Sequence, residues 1–303
     1  MSFMRPHGLS LLRVMMISML ALWPVLFSPS PHKAESLLSE APSQYAKLDN
    51  LRVHYKNYGA GHDALIFVHG WSLDLTSWRG QLPAFEGKKR MLLIDLPGHG
   101  ESDKPPITYT FDLFARSIAA VMRDAGVEKG ILIGHSNGTP VIRQFYRKYP
   151  EKTLALVVVD GPLKLSVTKE QVEGFIAPLR GEGYQTAATN LLEPGLSPNL
   201  PPALRDEIKT RMLRTPQHVM VSSLEAFADP ALWTDDKITV PVLAVYAKQP
   251  NWNAEYLAYV RHLVPNLELQ MWEGVNHFLM LEKPKEFNEA LTAFLIKNKF
   301  WKG

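Results

Sequence analysis

The residues of this chain best placed to do chemistry begin with the pentapeptide Gly134-His135-Ser136-Asn137-Gly138. It directly follows a short apolar run, Gly130-Ile131-Leu132-Ile133, and directly precedes a helical pattern from Thr139 to Tyr149. Read as strand, sharp turn and helix, G-x-S-x-G holds a serine in a strained backbone conformation with its hydroxyl exposed. Bulky residues two before or two after that serine would clash, so glycines flank it, and the first amide of the helix points at the reacting oxygen. A serine presented in this way can attack as a nucleophile; the alternative is a plain strand-to-helix turn.

The elements that must position it alternate along the chain. Gln44 to Leu48 and Arg52 to Tyr58 alternate like strands around Asp49-Asn50, a hairpin signal. Ala64 to Val68 is a continuous apolar run of the buried-strand kind and stops at His69-Gly70-Trp71. A helical stretch follows from about Leu75 to Phe85, then a strand over Arg90–Ile94 that ends in Asp95-Leu96-Pro97-Gly98-His99-Gly100-Glu101-Ser102-Asp103. Thr110 is placed to cap an amphipathic helix carrying Leu113, Phe114, Ile118, Val121 and Met122 on its apolar face. Leu154 to Val159 is the next strand, ending Asp160-Gly161-Pro162.

From Leu163 to about Asp236 strand-like runs give way to broken helical segments rich in Pro, Gly and Leu. The strand rhythm resumes at Val240–Tyr246, followed by a helix through Leu263, a strand over Leu267–Met271, a loop carrying Gly274-Val275-Asn276-His277, and a last helix from Pro284 to about Asn298. Such alternation implies an α/β fold with a mostly parallel sheet, covered by helices on both faces and binding at the carboxyl ends of its strands. His69, Ser136, Asp160 and His277 all follow strand ends and so share one rim.

Composition narrows the function classes. The 303 residues suffice for one large core with an insertion, and 46% hydrophobic and 21% charged residues are ordinary for a globular protein. Arg5 and Arg13 lead into the apolar stretch Val14–Phe27, followed by Ser28-Pro29-Ser30-Pro31. This pattern reads as an export signal over residues 1–34, with cleavage after Ala34, or alternatively as an uncleaved N-terminal anchor. Its removal would take away Arg5, Arg13 and Lys33 and no acid, leaving 30 Lys and Arg against 30 Asp and Glu. That balance gives no basic face for nucleic acid. With no cysteine there is no disulfide, thiolate metal site or cysteine-linked lipid. The reading is of an exported protein, periplasmic or secreted, with no stable membrane insertion once the signal is cleaved. Residues 35–43 read as a linker opening a core of 35–162 and 237–303, interrupted by the insertion 163–236.

With the elbow, the His69-Gly70 turn, the late His277 and the D-x-P-G-x-G-x-S run at Asp95–Ser102 in family order, the chain resembles the α/β-hydrolases over about residues 44–298, the insertion excepted. The resemblance implies a serine-nucleophile, esterase- or lipase-like branch whose insertion forms a mostly helical cap. It implies Ser136 as nucleophile and His277 as the base that takes its proton. Backbone amides of Trp71 and Asn137 would hold the oxyanion, His69 and His135 would brace their loops, and Asp95 would satisfy amides of the Pro97–Gly100 turn. The acid that orients His277 stays open. Many relatives place it after the seventh strand, but Ala247-Lys248-Gln249-Pro250-Asn251-Trp252-Asn253 holds no carboxylate before Glu255. Asp160, at the end of the sixth strand, is one answer; Asn251 or Asn253, through a neutral hydrogen bond, is another; Glu255 comes third.

A serine at the elbow argues against the fold's dehalogenases and epoxide hydrolases, whose nucleophile there is Asp. Neither a metal nor a cofactor is expected. The expected substrate is a small-to-medium hydrophobic carboxylic ester. A lactonase, a C–C bond hydrolase or a proline-type aminopeptidase are alternatives on the same fold, and a non-hydrolytic ligand binder or a haloperoxidase-like activity are alternatives of another class.

Overall fold

The computed structural model describes residues 31–165 and 167–301. The sequence reading of an export signal therefore falls mainly outside the described residues. Among the described residues no helix is long and apolar enough to cross a membrane.

Eight strands form one sheet: β1 (Gln44–Leu48), β2 (Leu51–Tyr58), β3 (Asp63–Val68), β4 (Met91–Ile94), β5 (Lys129–His135), β6 (Thr153–Val159), β7 (Val242–Ala247) and β8 (Leu267–Trp272). Their spatial order is β1-β2-β4-β3-β5-β6-β7-β8. The β1–β2 and β2–β4 pairs are antiparallel, and every pair from β4–β3 to β7–β8 is parallel. The reversal of strand order around β3 and β5 is the topological switch beside which such sheets bind ligands.

Alternation along each strand splits the core in two. From β3, Ala64, Ile66 and Val68 face a cluster with Phe114, Ile118, Val141 and Phe145, while Leu65 and Phe67 face Trp78, Phe287 and Leu291. The helices that cover these faces are α1 (Pro31–Glu40), α2 (Leu82–Phe85), α3 (Phe111–Asp124), α4 (Gly138–Lys148), then α5 (Lys169–Ile176), α6 (Tyr184–Leu192), α7 (Pro202–Met212) and α8 (Gln217–Phe227) between β6 and β7, and finally α9 (Ala254–Leu263), α10 (Leu279–Glu282) and α11 (Pro284–Lys297). Thr110 caps α3 by accepting from Leu113 N. Residues 35–43 are not a linker throughout. Helix α1 runs to Glu40, buries Ala34 and Leu38, and is pinned by Glu35 to Arg79 (2.8 Å) and by Lys33 to Glu86 (3.0 Å). Cleavage after Ala34 would cut it in its first turn.

The segment between β6 and β7 lies over the carboxyl edge of the sheet. Met220 O accepts from Trp71 Nε1 (3.1 Å), and Ser72 O accepts from Thr215 Oγ1 (3.2 Å). Helix α4, which starts at the elbow, holds both roots of this cap. Arg143 Nη1 donates to Leu163 O (2.7 Å), and Arg147 donates to Leu232 O (2.7 Å) and Asp236 Oδ2 (2.8 Å). The buried Arg143 side chain thus satisfies backbone carbonyls that the chain exposes where it leaves and rejoins the sheet.

Candidate active site

Between β5 and α4 the chain reverses within two residues, and Ser136 takes φ +53°. This left-handed conformation is uncommon outside glycine and persists only where surrounding contacts enforce it. Here Ser136 N donates to Val159 O (2.9 Å) and Ser136 O accepts from Thr139 N (2.9 Å). The flanking glycines are required by close approach. A Cβ on Gly134 would stand 2.5 Å from Gly138 O, and one on Gly138 would stand 2.6 Å from Val68 O.

The turn aims Ser136 Oγ at His277 Nε2, 2.8 Å away, and His277 Nδ1 donates to Asp160 Oδ2 at 2.7 Å. The other carboxylate oxygen of Asp160 accepts from Ala247 N (2.8 Å) and Trp252 Nε1 (2.9 Å). Asp160 is buried, so this saturation of Oδ1 leaves Oδ2 as the oxygen for the imidazole. Asp160 also takes a positive φ, +44°, at the abrupt end of β6. The arrangement lets a proton pass from Ser136 Oγ to His277 Nε2 while the Asp160 charge stabilises the imidazolium that forms.

Of the other orienting residues expected from sequence, neither asparagine contacts His277. Asn253 Oδ1 instead accepts from Tyr256 N (2.9 Å) and caps α9. Asn251 and Glu255 are exposed, Glu255 in the first turn of α9. Trp71 and Asn137 both line the cavity beside Ser136, and neither backbone N–H has an acceptor among the described residues.

Three buried histidines surround these loops in the neutral form. Burial lowers His135 well below its usual value, and its Nε2 donates to His277 O (2.8 Å), fixing the loop that carries His277. Burial likewise lowers His69, whose Nδ1 donates to Gly70 O (2.8 Å) while Nε2 accepts from Leu96 N (3.1 Å). His99 is pushed by burial down to about 3. Asp95 accepts from Leu75 N (2.7 Å), Glu101 N (2.9 Å) and His54 Nδ1 (2.7 Å). It therefore ties the turn after β4 to β2 and to the segment before α2. It does not serve the amides of Pro97–Gly100 expected from sequence, of which Gly98 N donates to Asp103 O and His99 N to Leu96 O instead.

Above Ser136 a cavity of about 240 Å³ is lined on its cap side by Phe175, Leu191, Leu192, Met212, Leu224 and Phe227. No lining side chain among the described residues is Asp, Glu, Lys or Arg. Nor does any group of three or more His, Asp or Glu among the described residues have the arrangement to hold a metal ion. Sequence reasoning missed Trp252, which stands in the very loop searched for a carboxylate. The signal was an indole donor where only acceptors were sought.

Comparison with known proteins agrees with this architecture. Residues 63–204 match the model of the alpha/beta hydrolase fold. The dihydrolipoyllysine-residue acetyltransferase component of the acetoin cleaving system of Cupriavidus necator is 31% identical over 139 residues, 45% of this chain, and the match spans 37% of that protein's length. Epoxide hydrolase 3 of Mus musculus is 28% identical over 277 residues, covering 82% of this chain and 75% of its own. Among solved structures, "Est816 as an N-Acyl homoserine lactone degrading enzyme" superposes with TM-score 0.71 at 25% identity, covering 83% of this chain and all of that one.

Proposed function

The chain is an α/β-hydrolase-fold protein, and we propose that within this fold it is a serine hydrolase that cleaves a carboxylic ester of a small-to-medium hydrophobic substrate through an acyl-enzyme. The observation that carries this reading is the continuous line from Ser136 Oγ through His277 to Asp160, with contacts of 2.8 and 2.7 Å. Ser136 attacks the carbonyl carbon as His277 Nε2 takes its proton. The backbone N–H groups of Trp71 and Asn137 receive the oxyanion, and His277 returns the proton to the leaving alcohol. Water, deprotonated by the same histidine, then releases the acid. The apolar cavity supports a hydrophobic acyl or alcohol group, because a charged substrate would be desolvated there without a partner.

Hydrolases of several kinds share this fold, and two readings adjoin this one. Epoxide hydrolase activity, the property of the Mus musculus relative, is disfavoured by the hydroxyl nucleophile at position 136. Lactone hydrolysis uses the same acyl chemistry and is supported by likeness to the acyl homoserine lactone degrading enzyme.

The test is a fluorophosphonate probe followed by a panel of p-nitrophenyl esters of increasing acyl length and a matched lactone. Labelling of Ser136 with turnover of the shorter apolar esters is expected. A folded protein unlabelled at Ser136 would sink the proposal.

A further inference from the structure

The loop that follows β7 lacks the carboxylate expected there, yet it reaches the acid that took its place. Trp252 is buried, and its Nε1 donates to Asp160 Oδ1 at 2.9 Å across 92 residues of chain. Its ring is held by Tyr246 of β7, centroids 4.6 Å apart, and by Tyr256 of α9, 4.9 Å apart. Tyr256 is itself placed by the Asn253 cap and accepts from Leu163 N (2.8 Å) at the root of the cap. The indole therefore has little freedom to turn away. We propose that Trp252 is a positioning residue for proton transfer at Ser136: its indole N–H, with the Ala247 amide, occupies Asp160 Oδ1 and so fixes Oδ2 against His277 Nδ1. The proposal rests on the serine-hydrolase reading above.

The physical reason is the symmetry of a carboxylate. Its two oxygens are equivalent until neighbours distinguish them, and a carboxylate free to rotate would present His277 with an oxygen at varying distance and angle. Two N–H donors on one side break that symmetry at no cost in charge, since both stabilise the anion. Here the acid stands at the end of β6 and the β7 loop supplies the donors that hold it. Among the described residues the titratable groups near the pair are neutral His135 from β5, the phenols of Tyr246 and Tyr256, and Glu282 from α10, whose carboxyl burial raises. None of them donates to Asp160 Oδ1 in Trp252's stead.

Trp252→Phe keeps an aromatic ring against Tyr246 and Tyr256 while removing the donor and part of the indole's volume, which a double-mutant cycle separates from the loss of the hydrogen bond. A lost hydrogen bond to a charged group corresponds to about a 10- to 100-fold fall in kcat, with KM for a short-chain ester little changed. The decisive measurement is a double-mutant cycle with Asp160→Asn. A residue acting through the carboxylate costs little further once the carboxylate is gone, so Trp252→Phe in the Asp160→Asn background is expected to change kcat by less than about twofold. An equal factor in both backgrounds would mark a merely structural role and overturn the proposal, as would an unchanged kcat in the single variant. Should Trp252→Phe fail to fold, replacing the indole at 252 by benzothiophene, which keeps the shape without the N–H, provides the same cycle. Fluorophosphonate labelling of the wild type separates the two layers. An unlabelled Ser136 overturns the hydrolase reading and this proposal with it, whereas labelling with an additive cycle overturns the role of Trp252 alone.

Discussion

Replacing Asp160 by asparagine tests what its charge does for His277 with almost no change in shape. The two N–H groups at Oδ1, from Ala247 and Trp252, can be satisfied only by an acceptor. The amide of Asp160→Asn must therefore turn its oxygen toward them and its NH2 toward His277 Nδ1. That nitrogen would then have to accept, which moves the ring proton to Nε2 and points it at Ser136 Oγ, now 2.8 Å from a donor instead of a base. The imidazole is locked in the wrong tautomer and loses the charge that stabilised its protonated form. A swap of this kind in a serine–histidine–aspartate arrangement costs about 10⁴ in kcat, or about 5.5 kcal/mol of barrier. KM is expected to hold, since Asp160 does not line the cavity. Thermal stability should fall only slightly, because the donors on Oδ1 keep their acceptor. Steady-state hydrolysis of a p-nitrophenyl ester and a melting curve are the assays. A loss of less than about tenfold would refute the argument, as would a greater loss from Asn251→Ala or Asn253→Ala, since those side chains make no contact with His277.

Two further outcomes follow from the same geometry. Because burial lowers His99 to about 3, the unfolded chain binds a proton that the folded one refuses between the ordinary histidine value and 3. The associated stability is complete above about pH 6.5 and is lost progressively as pH falls; His99→Gln should reduce the slope of unfolding free energy between pH 6 and 4 by about one proton's worth, ~1.4 kcal/mol per pH unit, in urea titrations. An unchanged slope would mean that His99 is not held neutral. In the cavity, Leu192→Trp fills space near Ser136 that the acyl or alcohol chain would use; kcat/KM for an octanoyl ester should fall at least about tenfold relative to the acetyl ester, and an equal fall for both would show that Leu192 does not line the substrate path.

The fold was legible because its signals are local. Continuous apolar runs mark the central strands and alternating ones the strands at the sheet's edges, and the eight strands lie where those patterns stand, with shifts of one or two residues at their ends. Val240–Tyr246, read as one strand, begins only at Val242, since Pro241 has no N–H for the ladder. Leu75–Phe85 reads as one helix but is a 3₁₀ turn over Leu75–Gln81 followed by the short α2. Helix α1 was invisible for a different reason. Ten residues with two buried side chains carry too weak a periodicity, and such a short helix is held by packing Ala34 and Leu38 onto the body of the protein, with Glu35–Arg79 and Lys33–Glu86 at its rim.

The site divides along the same line. Ser136 is legible because its constraint is covalently close: the strand, the turn glycines and the helix all lie within a few residues. His277 and Asp160 are separated by 117 residues, and nothing near Asp160 in the chain says that its carboxylate faces an imidazole rather than a turn. What decides it is a surplus of donors elsewhere. Ala247 N and Trp252 Nε1 converge on one point beyond the end of β7, and two buried N–H groups converging there require an acceptor. The β7 loop, searched for an acid, is a socket for one. Its lack of a carboxylate is then the physical complement of Asp160. A second anion in that loop would crowd the buried carboxylate of Asp160, and like charges at short range would force one of them to take up a proton.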